Sequence, residues 1–129
     1  MFTVDYDETT GILRCVHARF LSVEESEQYR RAVESAARRA TCEFGSVAML
    51  ALADGDFQVQ KPEVMEAARK GWESRGPDDR MAVFSSSALL RLQAKRIFSS
   101  VDTVEVFASE EDAKAWLIAS RPVRGDISA

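Results

Sequence analysis

The chain has 129 residues, 46% of them hydrophobic and 29% charged, and a formal net charge of -4. That length suits one ordinary domain, able to bury roughly two-thirds of the surface its unfolded chain exposes, and the balance excludes the disordered, collagenous and disulfide-framework classes. Its 17 basic residues are spread among 21 acidic ones, so nucleic acid, which needs clustered Lys and Arg against its phosphates, is not an expected partner.

The first residues, "MFTVDYDETTG", carry Asp5, Asp7 and Glu8 where a signal peptide needs a positive start and an apolar run. Phe2, Val4 and Tyr6 alternate on one strand face, "DETTG" reads as a turn, and "ILRCVHARF" as a second strand completing an antiparallel hairpin. In that second strand Ile12, Arg14, Val16 and Ala18 share one face, and Leu13, Cys15, His17 and Arg19 the other. Ser22 followed by Glu25 has capping-box spacing and opens a helix whose inward stripe is Val23, Tyr29, Val33, Ala36 and Ala37.

"SVAMLALA" is short and continuously apolar, as expected of a central strand covered on both faces. The acidic turn Asp54-Gly55-Asp56 follows, then a helix beginning near Pro62 with Val64, Met65, Ala68 and Trp72 as its apolar set. Gly71 inside that helix suggests close packing. "RMAVFSS" is the next strand and "ALLRLQAKRIFSS" a helix turning Leu89, Leu90, Ala94, Ile97 and Phe98 inward. "TVEVFA" is an alternating edge strand, and "SEEDAKAWLIAS" a helix capped by Ser109, with Ala113, Trp116 and Leu117 facing the sheet.

The order is therefore β-β-α-β-α-β-α-β-α. It predicts an α/β fold: a single, mostly parallel sheet with right-handed crossovers, an antiparallel N-terminal hairpin at one side and helices packed on it. No repeat or linker divides it, so residues 1–120 are expected to form one domain and residues 121–129 a frayed tail. Cys15 and Cys42 are far apart and outside any C-x-x-C, and read as reduced thiols. No segment reaches the roughly eighteen apolar residues of a membrane span. A cytoplasmic protein is expected.

The hairpin, the capped first helix, "VAMLALAD", "RMAVFSS" before a helix, and the closing "VEVFASEEDAKAWL" together resemble the SpoIIAA-like proteins, bacterial relatives of STAS and SEC14-like domains. The likeness spans nearly the whole chain and implies the fold above, here called SpoIIAA-like. In the anti-sigma-factor antagonists of that family, the loop after the central strand carries an aspartate and then a phosphorylated serine. Asp54-Gly55-Asp56-Phe57 stands at that place. An aspartate aligns there and a serine does not, so the resemblance implies the surface without the phosphoserine switch.

Several chemistries lack their residues. Asp54 and Asp56 are without the further oxygen ligands of a calcium loop, and no lysine ends "MAVFSS" to complete a phosphoaspartate site. His17 is the only histidine, leaving Cys15 and His17 two short of a zinc site and the serines without a ready base. No glycine-rich phosphate loop occurs. No metal, no cofactor and no catalytic residue is expected. Two surfaces remain. Asp54, Asp56, Phe57, Val59 and Met65 form a candidate partner-binding patch, with Phe57 as aromatic anchor. Ser85, Ser86 and Ser87, between a strand and a helix N-terminus, form with Arg91 a candidate anion or headgroup site.

Two functions fit. The first is a non-catalytic regulatory or protein-interaction module of STAS type, binding a protein partner or a second copy of itself as a homodimer. The second, implied by the SEC14-like resemblance, is a binder of a lipid or other apolar small molecule. Such a ligand needs a cavity of at least a few hundred Å3. A compact chain with filled helix faces is expected to leave little room for one, which ranks the module first.

Overall fold

A computed structural model describes residues 2–17, 23–52 and 62–122 of the chain. Strand β1 (Phe2–Tyr6) pairs antiparallel with β2 (Ile12–His17), Val4 opposite Cys15. The turn between them is set by local chemistry. Asp7 Oδ1 accepts the Thr9 N–H at 2.9 Å, an Asx turn, and Gly11 leaves it at φ +71°, a left-handed conformation natural to glycine. A Cβ at Gly11 would lie 2.5 Å from the Phe44 ring.

Helix α1 (Val23–Phe44) buries Val33, Ala37 and Ala40 at helical spacing, while Arg31, Arg38 and Arg39 stay outside. Val23 departs from the predicted stripe and is 86% exposed. Six residues ahead of Tyr29, it stands about a quarter turn off that stripe. Strand β3 (Ala48–Leu52) follows, then helix α2 (Pro62–Glu73), strand β4 (Arg80–Phe84), helix α3 (Ala88–Ile97), edge strand β5 (Val104–Phe107) and helix α4 (Glu110–Ser120).

The strands lie in the order β1-β2-β3-β4-β5, antiparallel only at the hairpin. This is the predicted α/β layout, with β3 central and Leu50 wholly buried. Successive residues point to opposite faces, so the register divides the core in two. Ile12, Ala48, Leu50, Ala82 and Leu117 fill the layer under α4, and Trp116 packs on Phe107 with ring centres 5.8 Å apart. Leu13, Met49, Met81 and Val104 face the opposite side, where α1 and α3 contribute Val33, Ala37, Ala94 and Phe98.

Helix caps are local as well. Ser87 Oγ accepts the Leu90 N–H, and Ser109 Oγ the Asp112 N–H. Leu89, expected inward on α3, is 61% exposed, because it lies about two-fifths of a turn from the centre of the Leu90–Ala94–Phe98 stripe. Arg121, from which the sequence suggests a frayed tail, is held. Its guanidinium donates to the Thr10 and Gly11 carbonyls and lies over the Phe44 ring, 4.9 Å from its centre. One arginine thus ties the end of α4 to the hairpin turn and the end of α1.

Candidate functional site

Helix α2 has α3 as its one substantial packing partner among the described elements, and it stands off the sheet. Trp72 reaches inward from it: the indole is buried and Nε1 donates to Thr103 Oγ1 at 2.9 Å. The rest of the space between α2 and the strands is a cavity of about 460 Å3, within the range of small-molecule sites. The expectation that filled helix faces leave little spare volume is overturned by this gap.

The reason lies in small side chains. The sheet register sets Cys15, Ala51 and Val83 in one row across β2, β3 and β4, and all three floor the cavity. Met49 and Met81 continue that floor one row away. Tyr29 and Val33 of α1 form one wall, Leu90, Ala94 and Phe98 of α3 the other. Gly71 lines it from α2, and a Cβ there would meet nothing within 4 Å among the described residues. The close packing that Gly71 suggests in the sequence is not what the glycine serves.

Polar groups are few and mostly engaged with one another. Tyr29 donates its hydroxyl proton to the Cys15 thiol. Burial, the largest cause, pushes the Cys15 thiol up to about 11, and burial likewise raises the Tyr29 phenol well above its ordinary value. Neither is ionised near neutrality, and Cys15 is no nucleophile there. Arg75 packs over the Trp72 ring, 5.9 Å from its centre, and donates to Glu34 Oε1 at 2.8 Å. Arg30 donates to Glu27 at 2.7 Å. Ser85, 1% exposed, accepts the Ser87 N–H on its hydroxyl oxygen at 3.0 Å.

Of the residues singled out in the sequence, Asp54, Asp56, Phe57 and Val59 lie outside the described residues, as does the Met65 side chain on α2. Ser85, Ser87 and Arg91 are brought together. Arg91 Nη1 donates to the Ser85 carbonyl at 2.8 Å, and Ser87 spends its hydroxyl on the α3 cap. Ser85 belongs equally to the cavity wall. Lys95 and Arg96 flank the exposed Leu92 on the outward face of α3.

A smaller hollow of about 190 Å3 on the α4 side is lined by Asp5, Asp7, Arg14 and Lys114, charges of both signs. Among the described residues, no three His, Cys, Asp or Glu side chains are grouped to hold a metal ion, and no helix is long and apolar enough to cross a membrane. The α/β sheet with an apolar cavity under one helix defines the class of protein as far as geometry takes it. Comparison with family models, curated proteins and solved structures finds no match to the chain.

Proposed function

We propose that this chain is a non-catalytic binder of an apolar small molecule, held between α2 and the parallel strands, in the manner implied by its resemblance to SEC14-like domains. The observation that carries this reading is the apolar cavity of about 460 Å3. An apolar pocket of this size leaves hydrocarbon in contact with water when it is empty. A resident ligand removes that surface from water together with its own and stabilises the fold by binding to it.

The chemistry on the walls fits binding better than turnover. Cys15 is protonated, Tyr29 is committed to it, and no histidine is among the described residues that line the space. Native mass spectrometry of protein purified from its own host is the test. The expected spectrum shows the chain carrying a discrete small mass lost on denaturation; a bare chain from gentle preparations that also takes up no added apolar probe would overturn the reading.

A regulatory interaction module of STAS type, without the phosphoserine switch, is the second reading. It is favoured by Leu89 and Leu92, 61% and 47% exposed on the outward face of α3. Sedimentation of the Leu89→Glu, Leu92→Glu double variant against the parent tests it, with loss of self-association or of a captured partner as the supporting outcome.

A further inference from the structure

We propose that the cavity selects uncharged apolar molecules bearing an oxygen acceptor, and that Glu34 is the residue that excludes anionic amphiphiles. The inference rests on the ligand-binding reading above and adds the chemical class of the ligand.

Among the described residues two cations line the cavity, Arg30 and Arg75, and an anionic head entering low-dielectric surroundings is best served by one of them. Arg30 is turned to Glu27 in a pair whose two side chains are 65% and 47% exposed, so it is spent on a carboxylate at the solvent edge. Arg75 is the better placed cation, with only 19% of its side chain exposed, and its stack on Trp72 fixes the guanidinium plane. Glu34 already takes that guanidinium and itself lines the cavity. A fatty carboxylate must therefore displace Glu34 from Arg75 and then share the site with the carboxylate it displaced. It exchanges one ion pair for another and gains a like-charge neighbour.

A neutral head meets no such cost. Ser85 Oγ accepts the Ser87 N–H, and as a hydroxyl it also carries a proton to donate. Buried at the cavity wall, that proton is available to a hydroxyl, ether or carbonyl oxygen of a ligand. Beside the Gln93 amide, the Cys15 thiol and the Tyr29 and Trp72 rings, the rest of the described floor and walls is aliphatic and thioether side chains with the Phe98 ring, suited to an alkyl or fused-ring body.

The experiment is a displacement titration of a neutral naphthylamine fluorophore by decan-1-ol and by decanoate at pH 7.5. It is run on the parent protein, on Glu34→Gln, and on Glu111→Gln of the exposed α4 face as a control with the same change in net charge. Decanol is more hydrophobic than decanoate in any apolar site, so the deciding quantity is the shift caused by each substitution. Glu34→Gln is expected to raise decanoate affinity about tenfold, the scale of one charge-assisted hydrogen bond. Decanol affinity and the Glu111→Gln titrations are expected to stay unchanged. Decanoate affinity unmoved by Glu34→Gln, or raised equally by Glu111→Gln, would overturn the role of Glu34. Decanoate binding the parent as tightly as decanol would overturn the selectivity. If the fluorophore binds and neither compound displaces it, the ligand class is wrong; if the fluorophore itself does not bind, the cavity reading fails with it.

Discussion

Replacing Gly71 separates the cavity from the stability of the fold, because here a substitution that removes binding is expected to strengthen the protein. Gly71 lies in α2 without a positive φ and lines the cavity, and an added Cβ meets nothing within 4 Å among the described residues. Glycine in a helix interior costs about 0.8–1.0 kcal/mol relative to alanine. Two residues from the end of α2 the gain is smaller, about 0.5–1 kcal/mol for Gly71→Ala. For a chain of this length each kcal/mol moves Tm by about 4 °C, so calorimetry should show a rise of about 2–4 °C. Gly71→Leu keeps most of that gain and pushes an isobutyl group under α2, which should weaken a bound neutral fluorophore at least about tenfold through overlap with ligand volume. A lower Tm for Gly71→Ala would mean that backbone or side chains approach the glycine closely. Undiminished affinity in Gly71→Leu at raised Tm would place the ligand elsewhere.

At the opposite end of the sheet, Gly11→Ala should destabilise by about 2–4 kcal/mol, from the left-handed backbone penalty together with overlap on Phe44; Phe44→Leu in the same chain should recover part of the lost Tm. Iodoacetamide should modify one thiol of the native protein, the exposed Cys42, and two in denaturant, since Cys15 is buried with its thiol raised to about 11. Because that value lies above the 9.0 of an ordinary thiol, the contribution of Cys15 to stability is complete below pH 9 and is lost as pH rises toward 11; Cys15→Ala should flatten this slope in urea melts between pH 9 and 10, the range below the ordinary tyrosine value from which Tyr29 and Tyr6 add their own slope. Glu110 is held below the usual carboxylate range by the Arg14 guanidinium at 3.0 Å, so its contribution is present above that range and lost as pH falls through the lowered value. Solvent reaches both side chains, which limits the pair to about 0.5 kcal/mol; Arg14→Met should flatten the acid limb of a pH–Tm curve by that amount.

The arrangement of strands was legible because hydrophobic period and length are local signals: the unbroken apolar run around Leu50 had to be central, and alternation in β1 and β2 sorted their faces correctly. Errors fell at helix ends. Val23 and Leu89 are apolar residues adjacent to a true stripe, and spacing alone does not say where the stripe is centred. Arg121 escaped because its partners, the Thr10 and Gly11 carbonyls, are about 110 residues away in sequence. The cavity escaped for a related reason. Its signal was the coincidence of Cys15, Ala51, Gly71 and Ala94, small residues on four elements, and only the register and the stand-off of α2 bring them round one space. Gly71 serves the opposite purpose to the close packing that its sequence context suggests, since a glycine inside a helix marks either a close approach or an opening. The acidic turn at Asp54 to Asp56, the most conspicuous feature of the sequence, lies outside the described residues.

The most direct measurement of ligand binding under α2 is a methyl-resolved NMR titration with a neutral apolar compound such as decan-1-ol. Met49, Met81, Val83 and Leu90 line the cavity, whereas Leu50, Ala113 and Leu117 lie across the sheet under α4. Saturable shifts confined to the first group, with the second unmoved, are the predicted result. Shifts centred on Leu50 and Leu117, or no saturable change at any of these methyls, would contradict the proposal that this protein binds apolar small molecules under α2.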